Sequence, residues 1–241
     1  MASSDSQRHA MTGENWERVL SAAAHLQRIV PDAVLVGGTA AAIHAEHRFS
    51  YDDDHVVTDL KERFQEVLME LEAVSGWTTN RFKSPVMILG NLEGVETGIR
   101  NLIRTAPLQT EVRPTPYGPI ILPTLDEMLR IKAYLVVTRN ATRDYLDVAA
   151  LADRIEHEGG KNAVWSALEP LDRLYPQENN ESIILQFAKQ MAEPNPKDLG
   201  KTELAEYSGI SEQWKSWDVV VAHARTLATF ILHKYAKSSG A

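Results

Sequence analysis

Three consecutive aspartates, Asp52, Asp53 and Asp54, are the first residues in this sequence whose types and spacing could do chemistry. A β-favouring His-Val-Val follows them, so a strand here would place Asp52 and Asp54 on one face and Asp53 on the other. Two neighbouring carboxylates raise one pKa, bind a cation or meet a basic side chain. Because oxygen ligands without cysteine select a hard metal, we expect Asp52 and Asp54 to bind Mg²⁺ or Mn²⁺.

A Gly-Gly-Thr turn, Gly37 to Thr39, ends an apolar run upstream of the aspartates. A strand that runs into glycines at a helix amino terminus offers backbone N–H groups and a positive dipole end to a phosphate. The hydroxyl of Thr39 can add a donor. The turn is not a P-loop, which needs a longer glycine loop ending in Gly-Lys-Ser/Thr, and a plain strand-to-helix turn explains these three residues equally well.

The elements that must position these residues follow from hydrophobic periodicity. The pattern predicts an amphipathic helix over 16–30, a buried strand before the glycines, a helix after them, a strand through the aspartates and a helix over 60–74. Between 76 and 121, short β-favouring segments cut by Gly, Pro and Asn predict a mainly antiparallel extension of the sheet. The remaining sequence indicates helices joined by polar loops.

The predicted fold class is therefore α/β (α+β), a mixed sheet with flanking helices followed by a helical domain. We expect a disordered leader over 1–13, an α/β domain over 14–122 and a C-terminal helical domain over 123–241. We expect a cleft between the two domains to hold the acceptor.

Composition restricts the possible functions. The 241 residues carry a formal net charge of −8, which argues against a broad surface for duplex nucleic acid. A local basic path remains open, made by Arg81, Lys83, Arg100, Arg104 and Arg113. The absence of cysteine excludes disulfides, thiolate zinc sites and cysteine nucleophiles. Without a signal-peptide pattern or a long apolar span, the sequence predicts a cytoplasmic protein that does not bind a membrane.

The spacing of Gly-Gly-Thr and Asp-x-Asp resembles the signature of the polymerase-beta-like nucleotidyltransferase superfamily. Arg48-Phe49-Ser50 before the aspartates is similar to the motif of the abortive-infection AbiEii-like subgroup, and so are the later Lys132 helix and Arg143-Asp-x-x-Asp helix. The match covers roughly residues 34–153, about half of the chain. It implies a nucleotidyltransferase-like mixed sheet.

This resemblance also implies roles for individual residues. Asp52 and Asp54 would bind Mg²⁺, Lys132 would contact the triphosphate, and the other nucleotide-binding or supporting residues would be Gly37, Gly38, Thr39, Ser50, Arg143, Asp144 and Asp147. The implied reaction moves an NMP from an NTP to an acceptor hydroxyl. The acceptor could be RNA or tRNA, a protein or a small molecule. The subgroup further implies a toxin or phage-defence protein, with a cognate antitoxin as a possible partner.

The superfamily usually has a third acidic residue on a following strand, and here only a glutamate can supply it. Glu96 is the first choice, as metal ligand or general base, and Glu111 is the second; Glu93 fits a loop better. If neither lies near the aspartates, the alternative is a non-catalytic nucleotide- or partner-binding member of the same fold.

Each motif also has a structural interpretation without chemistry. The aspartates could form a solvated turn, and Arg143, Asp144 and Asp147 could form surface charge pairs on a helix. His44, His47 and His55 suggest a zinc site, but surface or supporting histidines are far commoner. A purely structural helical protein would bind no metal.

Overall fold

The computed structural model describes the backbone of residues 4–201 and 203–239 and the side chains of 13–201 and 203–237. The chain divides into two compact units, Met1–Ile43 with Phe49–Thr124, and His44–Arg48 with Leu125–Ala241. Of the predicted leader, residues 1–3 lie outside the described residues, and the backbone of 4–13 belongs to the first helix.

The first unit contains a mixed sheet and its helices. Its elements are α1 (Ser4–Ile29), β1 (Val34–Leu35), α2 (Gly37–Ala45, whose last two residues belong to the second unit), β2 (Asp52–Val57), α3 (Leu60–Glu72), β3 (Trp77–Lys83), β4 (Met87–Leu92), β5 (Val95–Asn101), β6 (Thr110–Thr115) and β7 (Gly118–Pro123). The five-stranded sheet has the order β1-β2-β5-β4-β3.

The strand pairing confirms the predicted mixed sheet and corrects its extent. β3, β4 and β5 are antiparallel and β5 joins β2 in parallel, but β6 and β7 form a separate two-stranded sheet. Strand propensity does not name a strand's partner. The long connection through α3, β3 and β4 is what permits the parallel pairing of β2 with β5.

The core of the first unit lies on one face of the sheet. Buried side chains of α1 and α3, such as Leu26 and Phe64, pack there against Ile88 and Ile99 of the sheet. The stripe on α3 repeats every three or four residues, which is why this helix buries one side. The other face of the sheet carries the exposed polar side chains.

The second unit is helical, as the sequence predicts. It consists of α4 (Leu125–Thr138), α5 (Thr142–Gly159), α6 (Lys161–Leu168), α7 (Leu171–Leu174), α8 (Ile183–Ala192) and α9 (Trp217–Ser239), with two short 3₁₀ turns at Leu204–Glu206 and Glu212–Trp214. Buried side chains such as Leu146, Phe187 and Trp214 form its core. Among the described helices, none is long and apolar enough to cross a membrane.

Candidate active site

The three aspartates of β2 lie on two faces of the sheet. Asp52 is exposed and Asp54 is half-buried, whereas Asp53 is completely buried. This alternation follows from the two-residue period of a strand. Asp52 and Asp54 therefore share the face opposite the core.

Two glycines make room for the carboxylate of Asp54. Gly37 has a φ of +74°, and a Cβ atom there would lie 3.1 Å from Asp54 Oδ2. Gly98 lies beside Asp54 in the register, and a Cβ atom on it would lie 3.2 Å from Asp54 Oδ1. The carboxylate is thus held next to the first residue of α2, where the helix dipole favours a negative charge.

The start of α2 is tied to the backbone of β2. The hydroxyl of Thr39 donates to the carbonyl oxygen of Asp52 at 2.7 Å, and the backbone N–H of Val36 donates to that of Asp54 at 2.8 Å. Because Thr39 is buried and its hydroxyl proton is used in this bond, its side chain fixes the turn against the strand. Its predicted contact with a phosphate stays a prediction, as does that of the buried Ser50.

Glu96 has the better position of the two candidate third carboxylates. It is the register partner of Asp52 on the parallel strand β5, and it is exposed on the same sheet. Glu111 lies on β6 in the separate sheet, where it accepts a hydrogen bond of 2.6 Å from Arg113. Among the described residues, no three His, Asp or Glu side chains converge as a ready-made metal site.

Asp53 and His55 form a buried pair on the core face of β2. Asp53 Oδ1 lies 3.4 Å from His55 Nδ1, and both side chains are inaccessible to solvent. Burial, together with the charge of Asp54, raises the pKa of Asp53 well above its usual value. Burial also lowers the pKa of His55 to about 3, so its imidazole is uncharged at neutral pH.

In the second unit, a buried ionic cluster forms around Asp147. This cluster consists of His47, Arg48, Lys132 and Asp147. Asp147 Oδ1 accepts from His47 Nε2 at 2.8 Å and from Arg48 Nε at 2.9 Å. Asp147 Oδ2 lies 2.7 Å from Lys132 Nζ and accepts from Arg48 Nη2 at 3.1 Å. The resemblance implies that Lys132 contacts the triphosphate, whereas here its ammonium is buried and paired with Asp147.

Burial and the interactions within the cluster shift the pKa values of its members. Burial alone would raise the pKa of Asp147, but the charges of Arg48 and Lys132 and the His47 hydrogen bond outweigh it and hold that pKa well below its usual range. Burial lowers the pKa of His47 despite its bond to Asp147. Two cations therefore surround one carboxylate beside a neutral imidazole.

The other predicted residues of this region have separate partners. Asp144 is buried and accepts from Arg139 Nε at 2.7 Å, whereas Arg143 is exposed. Asp198 accepts from the backbone N–H of Thr142 at 2.7 Å and so caps the start of α5. Arg143, Asp144 and Asp147 therefore do not form one charge-pair set on the helix surface.

Sequence reasoning gave neither His47 nor Arg48 a particular partner. It predicts a surface or supporting histidine at position 47, and the structure excludes the surface alternative, because His47 is buried against Asp147. Contact among Arg48, Lys132 and Asp147 could have been predicted, because all three residues belong to motifs that the resemblance places together. His47 belongs to none of these motifs, so nothing in the sequence indicated its partner.

The chain matches no family model. Among curated proteins, it is similar to the heme uptake protein MmpL11 of Mycobacterium tuberculosis, with 30% identity over 134 residues. A second relative is the mycolic acid-containing lipids exporter MmpL11 of Mycolicibacterium smegmatis, with 31% identity over 98 residues, which are 39% of this chain and 10% of that protein. The first match covers 54% of this chain, which spans 13% of the length of that relative.

Solved structures resemble the chain over nearly its whole length. JHP933 from Helicobacter pylori covers all of it with a TM-score of 0.49 and 16% identity. An H. pylori protein described as a candidate nucleotidyltransferase matches with a TM-score of 0.54 and 16% identity, over 92% of this chain and 96% of that one. This last match, with the mixed sheet and the helical C-terminal region, shows that the chain has a nucleotidyltransferase-like fold.

Proposed function

We propose that the chain is a Mg²⁺-dependent nucleotidyltransferase that moves an NMP from an NTP to an acceptor hydroxyl. The observation that carries the proposal is the shared position of Asp52, Asp54 and Glu96 on one sheet face, with the start of α2 beside Asp54. The nucleotidyltransferase-like fold supports it.

The donor set suits magnesium, or manganese in its place. Mg²⁺ is usually held by one or two carboxylates together with substrate phosphates and water, and Asp52 and Asp54 supply two carboxylates. The missing Cβ atoms of Gly37 and Gly98 leave the Asp54 carboxylate its space. When bound, the metal would offset the negative charge that develops on the phosphoryl and leaving oxygens.

In the proposed reaction, the acceptor oxygen bonds to the α-phosphorus while the bond from that phosphorus to the bridging oxygen of the β-phosphate breaks. Pyrophosphate leaves, and Glu96 takes the acceptor's proton. The N–H groups of Gly37 and Gly38 bind phosphate oxygens at the start of α2. Contact of Lys132 with the triphosphate stays a prediction, since it would require Lys132 to leave Asp147.

The test uses each of the four labelled NTPs with Mg²⁺ and mixed acceptors, total RNA and the polypeptide itself among them. Asp54→Asn keeps the shape of the side chain and removes its charge, and Glu66→Gln removes an exposed carboxylate from α3 as the matched control. We expect label transfer by the wild type and by Glu66→Gln, and none by Asp54→Asn. Equal transfer by all three would contradict the proposed site.

A second candidate function is a nucleotide- or partner-binding protein without catalysis. It is favoured by the finding that no three metal-binding side chains converge among the described residues. It predicts NTP binding that survives Glu96→Gln and no label transfer to any acceptor. Transfer that Glu96→Gln abolishes excludes it.

The finer assignment, an AbiEii-like toxin acting on RNA or tRNA and neutralised by an antitoxin, rests on the Arg48-Phe49-Ser50 and Lys132 motifs. It predicts that expression in bacteria arrests growth and labels RNA in extracts. Asp54→Asn should abolish both effects. Transfer to protein alone would remove RNA from the proposal.

A further inference from the structure

The face of the sheet that carries the aspartates separates its charges along the strands. In the register, Asp52 and Glu96 form one cross-strand row, Asp54 and Gly98 the next, and Val56 and Arg100 the third. Carboxylates therefore occupy the first two rows, and the third row contains the guanidinium of Arg100.

Two more cationic side chains lie beyond Arg100, further across the sheet. Arg100 pairs with Met87 of β4, and Met87 pairs with Lys83 of β3. Arg81 lies two residues before Lys83, opposite Leu89, and all three cations are exposed. With strands about 4.8 Å apart, the Cα atoms of Arg100 and Lys83 are about 10 Å apart, so their long side chains can contact one phosphorylated ligand.

The other members of the predicted basic path do not share this face. The buried Arg104 donates from Nε to the carbonyl oxygen of Ala106 at 2.9 Å. Arg113 lies on the separate sheet, 2.6 Å from Glu111. The structure thus reduces five candidate cations to three, which we call the basic row: Arg81, Lys83 and Arg100.

Arg100 links the basic row to the aspartates. Its Nε atom lies 3.9 Å from Asp54 Oδ1, and its Nη1 atom donates to Met87 Sδ. The side chains of Arg100 and Asp54 are 47% and 37% exposed, so the pair is weak and can be replaced. A divalent cation on Asp54 would repel Arg100 and leave its guanidinium for a phosphate.

We propose that the basic row binds phosphate groups of the substrate, and that Arg100 stays paired with Asp54 until a divalent cation binds Asp54 in its place. The inference rests on the proposed function for the metal at Asp54. The phosphates belong either to the NTP or to a nucleic-acid acceptor, which present the same chemistry. Binding experiments on the full chain separate the two sources.

The test compares wild type, Arg100→Gln, Lys83→Gln and a matched control, Arg154→Gln. Arg154 is 48% exposed and paired with Glu158, so it matches Arg100 in exposure and pairing, but it lies on α5. The first readout is Mn²⁺ affinity without nucleotide. Removing the competing cation should tighten Mn²⁺ binding of Arg100→Gln about threefold and leave the Arg154→Gln value unchanged.

The second readout has two arms, Mg²⁺ with a non-hydrolysable ATP analogue and a single-stranded RNA oligonucleotide alone. Weaker binding of Arg100→Gln and Lys83→Gln in the first arm assigns the row to the nucleotide, and in the second arm to the acceptor. For RNA, the slope of log K against log salt should fall by about 0.7 for each cation removed. Wild-type affinity of both variants in both arms overturns the basic row.

Failure of the row and failure of the proposed function give different results. If wild type transfers label while both row variants bind nucleotide and RNA as tightly as wild type, the proposed role of the basic row is wrong and the proposed function is supported. If wild type transfers no label but the row variants lose phosphate binding, phosphate binding by the basic row is supported and the proposed enzymatic function is contradicted. Unchanged or weaker Mn²⁺ binding by Arg100→Gln contradicts the competition for Asp54.

Discussion

Gly37 shows how a single missing side chain can position a carboxylate. The residue needs both a positive φ of +74° and empty space, because a Cβ atom would lie 3.1 Å from Asp54 Oδ2. The sequence predicted a phosphate-binding turn from this glycine. Its contact with Asp54 could not be predicted, since seventeen positions separate the two residues and only the fold brings them together.

Gly37→Ala should therefore impair metal binding beyond its effect on folding. The left-handed backbone costs an alanine about 1–2 kcal/mol, and displacement of Asp54 should weaken Mn²⁺ binding about tenfold. Gly160→Ala is the control, because Gly160 has a φ of +75° and nothing within 4 Å of an added Cβ. Calorimetric titration of both variants with Mn²⁺ decides, and equal affinities would refute a role for Gly37 at Asp54.

Asp53→Asn should stabilise the protein, and more so at high pH. The folded-state pKa of Asp53 is raised, so folding takes up a proton between that pKa and the unfolded value of about 3.9, and the cost to stability grows as pH rises through this range. Asparagine removes that cost. Urea unfolding at pH 8 and at pH 5 should show a larger gain at pH 8, and an equal gain at both would contradict a raised pKa of Asp53.

At the scale of elements, the sequence predicted strands and helices better than their pairing. The two-residue period predicted that Asp52 and Asp54 share one face of β2, and the spacing of apolar residues predicted the helix α3. The parallel partner of β2 and the separate β6–β7 sheet were not, because strand propensity is local and pairing is not. The same limit hid the contact between segment 44–48 and helices α4 and α5, which the ionic cluster makes.

The cluster should respond unequally to loss of its members. Asp147→Asn leaves Arg48 and Lys132 buried without a carboxylate and should cost about 3–5 kcal/mol of unfolding free energy. Lys132→Met leaves Asp147 with the two hydrogen bonds from Arg48 and the one from His47, so about 2 kcal/mol is expected. Urea denaturation measures both. A larger loss for Lys132→Met would show that Lys132, and not Asp147, organises the cluster.

For the whole molecule, the shifted pKa values of buried groups make stability depend on pH. Asp147 has a lowered pKa, so its stabilisation is present above its unfolded value and is lost as pH falls through the folded one. The lowered pKa values of His47 and His55 mean that protons bind the unfolded chain first, below about pH 6.5. Asp53 acts in the opposite direction.

His47 and His55 should therefore make stability decline from pH 7 to pH 5, against the opposing gain from Asp53. His55 alone, with a folded-state pKa of about 3, should account for about 2 kcal/mol of that decline, because the unfolded imidazole is protonated below about pH 6.5. Urea unfolding curves at half-unit pH steps measure the profiles of the wild type and of His55→Gln, and the variant should lack this loss. An equal pH dependence of stability in the wild type and in His55→Gln would contradict a neutral, buried His55.

The parallel pairing of β2 with β5 also bears on the order of events during folding. The antiparallel strands β3, β4 and β5 are joined by short turns, so they can pair soon after the chain collapses. Asp52 and Glu96 are neighbours only after a loop of more than forty residues has closed, which is entropically slower. The sheet face that carries Asp52, Asp54 and Glu96 is thus completed late in folding, and a kinetic intermediate that holds only the three-stranded meander would lack the row of Asp52 and Glu96.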